Sequence, residues 1–244
     1  MREVLRYIGE RTAQEKDNNP LLRWLADDSV PASDRLMRWL PCAAPWVFGF
    51  MDLNATLLRY PEDEASQHPY KRAINVHLGE DANHWVFYVQ DLNTLQLDAA
   101  VSFPDVLRFL WSEETRSQRL AVYRLTALAA RAGDPLLRYS LVLALEALAH
   151  LVFDTLRRVS EPYVRETGLG LLYIATVHAE REPGHLTRQE DSAEADMQAE
   201  VLDPATRREA LDIVRQVCDA IAERWTEMYR SGQTDRFLTF LRSA

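Results

Sequence analysis

Apolar residues recur at spacings of three and four along most of the chain, the period of an amphipathic helix. No stretch shows the strict alternation that a half-buried strand requires, glycine is scarce, and turn dipeptides are few. The pattern predicts an all-α protein, with helices over about 2–15, 33–59, 69–95, 103–112, 115–132, 135–160, 164–182, 204–231 and 234–242. Several ends are marked by their chemistry. Asp203 and Pro204 read as an N-cap and first helical residue, Gly232 as a stop, and "AGDP" at 132–135 as a tight connection between two helices.

One predicted helix stands apart. "LLRYSLVLALEALAHLVFDTL" is apolar on nearly every side, so it should lie in the core, yet Glu146 sits in its middle. A buried carboxylate must be paired with a cation, hydrogen-bonded, protonated or bound to a metal, because its bare charge is costly away from water. The same stretch is interrupted by Glu146 and His150 and reads as too short to span a bilayer. "RQEDSAEADMQAE", by contrast, is acidic and poor in large apolar residues, the composition of a solvated loop or frayed helix that ligand could order as a lid.

With 244 residues, 47% of them hydrophobic, the chain can build one large core, and no tandem repeat or low-complexity linker divides it. A net charge of −9 argues against a nucleic-acid partner, whose phosphates need clustered Lys and Arg. The first residues lack the apolar run and cleavage site of a secretory signal, so a soluble, cytoplasmic chain with no membrane partner is expected. Cys42 and Cys218 stand far apart without a CxxC pattern and read as core residues.

Histidine spacing carries the functional signal. "HLGEDANH" places His77, Asp81 and His84 at i, i+4 and i+7, and "HAEREPGH" repeats the spacing with His178, Glu182 and His185. Steps of four and seven lie within about 40° and 20° of one another on a helix, so each set shares a face. Chance placement predicts about 0.02 such sets in a chain of this composition. Two are present. Imidazole and carboxylate donors without thiolate suit iron or manganese rather than structural zinc, and His77, His84, Glu146, His178, Glu182 and His185, six ligands over three helices, suit two ions bridged by carboxylate. Such a pair points to dioxygen as co-substrate.

Other polar residues have plainer readings. His150 reads as a core histidine bonded to backbone or an additional ligand, and His68, before Pro69, as a surface residue. Asp81 is a further candidate ligand, and Asp52 in "FGFMDLN" a buried acid that supports the ligands. Tyr70, Trp85 and Tyr88 lie near the first motif and could line a pocket or carry electrons, with ordinary aromatic packing as the alternative.

These motifs resemble the haem-oxygenase-like diiron oxidases and oxygenases, which share the fold of haem oxygenase and the TenA-type thiaminases. Their pattern is a Glu or His followed seven residues later by His, a Glu on the next core helix, and a His-x3-Asp/Glu-x2-His set on a third. His77 with His84, Glu146, and His178 with Glu182 and His185 fit it in turn. "EDANHWVFYVQDLNTL" and "NPLLRWLADDSVP" also look like family helices, so the similarity spans about residues 19–230. The resemblance implies a single haem-oxygenase-like bundle of about seven core helices, with residues 1–18 as an extension and 231–244 as a C-terminal helix.

Two departures are visible. His77 stands where glutamate is commoner, as in the nitrile-forming branch, and Pro183 should kink or end the helix before His185. By resemblance the activity is a non-haem diiron, O2-dependent oxidase or oxygenase with two Fe, Mn able to replace one, acting on an amino acid, fatty acid or related small molecule. An external electron donor and a homodimer are compatible with it. The alternative is a non-catalytic small-molecule or partner-binding protein of the same fold, keeping one metal or none. A thiaminase would need a nucleophilic cysteine beside an acid, and neither cysteine has that setting.

Overall fold

The computed structural model describes residues 1–81, 83–97, 100–176 and 192–233. Among them there is no strand, and the chain is all-α as its periodicity predicts. Helix α1 (Arg2–Asn18) is followed by α2 (Pro20–Leu25), α3 (Ala32–Trp39), α4 (Ala44–Leu53) and α5 (Glu62–Ala65). Then come α6 (Pro69–Asp81), α7 (His84–Thr94), α8 (Phe103–Leu110) and α9 (Arg116–Arg131). The long helices α10 (Pro135–Thr167) and α12 (Pro204–Gly232) flank the short α11 (Ser192–Ala199).

Helix α10 is the axis of the bundle, with α12, α1, α3 and α6 packed around it. Its start is set by Asp134, whose side chain accepts the Leu136 N–H at 2.8 Å, and its end by Gly168 at φ 71°, a conformation that favours glycine. The helix runs on through Pro162 instead of ending near residue 160, although the ring leaves the Arg158 carbonyl without its usual donor. By length and composition it could cross a membrane, contrary to the short stretch expected; 72% of its most apolar window is buried within the protein, which is how a core helix behaves. Asp203 caps α12 by accepting the Ala205 and Thr206 N–H groups, as its position before Pro204 predicts.

Three expected helices are divided. The span 33–59 breaks into α3, a 3-10 turn (Pro41–Ala43) and α4, where Pro41 and Pro45 each remove a helical donor, and ends in a π-helical turn (Asn54–Leu58). The span 69–95 breaks between Asp81 and His84, so those two residues end one helix and begin the next. The span 164–182 is replaced by the end of α10 and a π-helical turn (Leu172–Thr176), beyond which the expectation lies outside the described residues. So does the helix expected at 234–242.

After Met1, the first residues form α1, which packs against α10 and α12 and buries Val4 and Ile8, with Met1 buried at its N-cap. Within the acidic stretch, residues 192–199 form α11, the helix rather than the loop of the two expected forms, and it is docked: Met197 is buried, and the helix packs on α6 and α1. Cys42 and Cys218 are buried and unpaired, as expected of core residues.

Candidate metal and substrate site

Helices α6, α7 and α10 bring five of the sequence-predicted donors to one cavity. His77 comes from α6, Asp81 from its last turn, His84 from the first turn of α7, and Glu146 and His150 from adjacent turns of α10. His77 Nδ1 lies 3.4 Å from Glu146 Oε1, and His150 Nε2 approaches the same oxygen at 3.6 Å from the next turn of the same helix. Asp81 Oδ1 lies 3.0 Å from His84 Nδ1. The donors therefore fall into two groups, one on Glu146 and one at the α6–α7 break.

The common helical face expected of His77, Asp81 and His84 is corrected by that break. The three reach the cavity from two helices, and His84 gains its place from the N-terminus of α7. His150 is corrected as a core residue only in its burial: its side chain is 35% exposed, and its Nε2 is turned to Glu146. His178, Glu182 and His185 lie outside the described residues. Among the described residues no set of three or more His, Cys, Asp and Glu side chains converges closely enough to hold an ion alone.

The remaining wall is apolar and aromatic, including Trp46, Phe50, Leu145, Val152, Phe153 and Leu156. With its open mouth included, the hollow contains about 1060 Å³ of empty space. Tyr70, Trp85 and Tyr88 are not among its lining residues. Tyr70 donates its hydroxyl to Glu200, Tyr88 donates to the Leu40 carbonyl at 2.8 Å, and Trp85 is an exposed ring beside Phe48. Asp52 is exposed on α4, contrary to the burial expected from its apolar neighbours, and does not line the cavity.

Two buried polar residues were not singled out from the sequence. Asp91 on α7, with no exposed surface, accepts the backbone N–H groups of Leu172, Tyr173 and Ile174 at 2.6, 3.0 and 3.1 Å. It thereby fixes the π-helical turn that precedes the second histidine set and seats Tyr173 in the cavity wall. Burial pushes its carboxyl up to about 6 against the opposing pull of those hydrogen bonds. Arg224 on α12 is 5% exposed, lines the cavity, and lies with its guanidinium carbon 3.9 Å from the Trp46 ring centroid. Its signal was legible: it interrupts the apolar stripe Val217, Ile221, Trp225 and Met228 on one helical face.

No family model matches the chain, and no curated protein matches its sequence.

The donor set can be tested against a metal on its own chemistry. Glu146 is 7% exposed, and its ion-pair neighbours are imidazoles rather than Lys or Arg. His77 Nδ1 is buried without a hydrogen-bond partner although it faces that carboxylate. A buried carboxylate and an orphaned imidazole nitrogen side by side are uncompensated for the protein alone and suited to a cation between them. Nitrogen and oxygen donors without thiolate fit iron or manganese. Both thiols are elsewhere and pushed up by burial, Cys42 to about 12 and Cys218 to about 11, which also removes them as nucleophiles.

Proposed function

We propose that the chain is a cytoplasmic non-haem diiron, O2-dependent oxidase or oxygenase of small organic molecules. The observation that carries this reading is the gathering of His77, Asp81, His84, Glu146 and His150 on one largely apolar cavity. A concave, mostly apolar space with a few convergent titratable groups is the usual form of a small-molecule site. His77, His84 and Glu146, with His178, Glu182 and His185 from the segment beyond Thr176, would hold the ions, and Asp81 extends the set. When bound, such a pair supplies electrons to dioxygen for attack on a substrate C–H or N–H bond.

The chain's own residues set the conditions for that chemistry. The aromatic and aliphatic wall excludes water from the reacting groups, which strengthens electrostatic interactions among them. Partly exposed His150, beside Glu146, is placed to relay a proton between the carboxylate and solvent. Asp91 holds Tyr173 against Phe153 and Tyr88, closing one side of the wall.

Anaerobic Fe(II) loading of wild type, His84→Ala and His178→Ala tests the proposal, with bound iron counted by elemental analysis and the optical spectrum followed after an oxygen pulse. About two irons per wild-type chain, as in carboxylate-bridged bundles, with a visible transient and loss of both in each variant, is the expected result. Background iron and identical spectra in all three proteins would sink it and leave a binding protein as the reading.

A further inference from the structure

The cavity has a second polar region with the opposite character. Arg224, Trp225 and Trp39 all line it, all are at least nine-tenths buried, and Arg224 Nε, Trp225 Nε1 and Trp39 Nε1 have no hydrogen-bond acceptor. Every one of these orphaned atoms is a donor. Buried donors are ordinarily satisfied, and three without an acceptor around one hollow call for an acceptor-rich group from outside the chain.

The charge balance points the same way. Arg224 donates to the Gln118 amide oxygen at 3.2 Å and packs on Trp46, neither of which neutralises it, and no carboxylate lies within ion-pair distance among the described residues. It also borders a shallow groove containing Glu113, Glu223 and Glu227, but those acids pair with Arg116, Arg124 and Arg230 respectively. A guanidinium kept from water without a counter-ion is expensive, and its planar fork matches a carboxylate. Burial pulls it down to about 9 against the opposing influence of Tyr173.

We infer that the cavity binds a small organic carboxylate with an apolar body, its head group held by the donors of Arg224, Trp225 and Trp39. The polar contacts of Arg224 include none of His77, Asp81, His84, Glu146 and His150, so the anion subsite is chemically separate from the donor cluster. The body lies along Trp46, Phe50, Phe153 and Val152, and the end remote from the carboxylate faces the cluster. Which end reacts rests on the oxidase reading; binding of the anion does not.

Isothermal titration of metal-free, chelator-treated full-length protein tests this with two matched pairs, octanoate against 1-octanol and 3-phenylpropanoate against 3-phenylpropanol. Wild type should bind at least one carboxylate about tenfold or more tightly than its alcohol, the difference made by hydrogen bonds to a charged group. Arg224→Met should abolish that preference while leaving alcohol binding within about twofold, since the apolar wall is intact. Trp225→Phe, which removes one donor and keeps an aromatic ring, should lower the preference severalfold and serves as the test if Arg224→Met does not fold by circular dichroism. No carboxylate preference in wild type, or an undiminished preference in the variants that fold, would overturn the inference. Carboxylate preference in a protein that takes up no iron would overturn the oxidase reading alone, and iron uptake without the preference would overturn this one alone.

Discussion

Asp91 Oδ2 accepts the backbone N–H of Tyr173 at 3.0 Å, joining α7 to the turn that follows α10 across 82 positions of sequence. With Leu172 and Ile174 on the same carboxylate, three consecutive donors depend on one side chain. Asp91→Asn presents one oxygen and an NH2 group to them, so at least one donor is left facing another donor. The variant should lose about 1–3 kcal/mol at pH 7, the cost of unsatisfied buried groups, read as a lower urea midpoint.

The same residue should give a pH signature. Its folded pKa of about 6 lies above the usual 3.9 or so of an unfolded aspartate, so the native state binds this proton more tightly. That increment of stability is complete below about pH 4 and is lost as pH rises through about 6. Wild type should therefore gain on Asp91→Asn by on the order of 2–3 kcal/mol between pH 7 and pH 4. A gap that narrows on acidification would show that the ionised carboxylate is the favoured native form.

Gly49 and Gly9 are both helical and should respond oppositely to alanine. A Cβ at Gly49 would stand 3.0 Å from both methyls of Val122, at the α4–α9 contact, whereas one at Gly9 meets nothing within 4 Å. Gly49→Ala should cost about 1–3 kcal/mol by overpacking, with partial recovery in Gly49→Ala/Val122→Ala. Gly9→Ala should gain about 0.5–1 kcal/mol because a helix-interior glycine is entropically unfavourable. Equal denaturation midpoints for the two single variants would contradict the packing difference.

Cys42 and Cys218 should be silent in the native state. Both are at most 3% exposed, and burial keeps each protonated far above neutral pH. A thiol reagent at pH 8 should label neither in the folded protein and both in urea, since only the exposed thiolate reacts. Rapid native labelling of either would reopen a nucleophilic role.

These features differ in how far the chain betrayed them. The all-α class and the buried α10 follow from a short-range signal, apolar period and caps, that every residue contributes to. Glu146 was legible because a lone acid in an apolar helix contradicts its surroundings. The break between Asp81 and His84 was hidden, because "GEDAN" retains enough helical pattern to read through and only tertiary placement decides that α7 starts afresh. Asp91 was hidden for another reason: its partners are backbone N–H groups, which carry no residue identity. Asp52 misled because sequence neighbours on a helix point in every direction, and apolar neighbours do not bury the residue between them.

Glu146 offers the sharpest separation of a functional residue from a structural one. In metal-free protein its carboxylate lies among Leu145, Leu148 and two imidazoles with no Lys or Arg ion pair among the described residues, so it is a charge that folding must accommodate. Glu146→Leu replaces it with a side chain of similar volume already repeated along α10. Exchange of buried ionic groups for apolar ones of like size is often stabilising by about 1–4 kcal/mol. The metal-free variant should therefore melt at a higher temperature than metal-free wild type while losing Fe(II) binding. Removal of a structural carboxylate would do the reverse, taking the nearby negative charge from His77 and His150 and lowering the melting temperature. The sign of that one shift, measured by calorimetry in the presence of chelator, decides whether the His77–Glu146–His150 contact exists for the fold or for what the cavity holds.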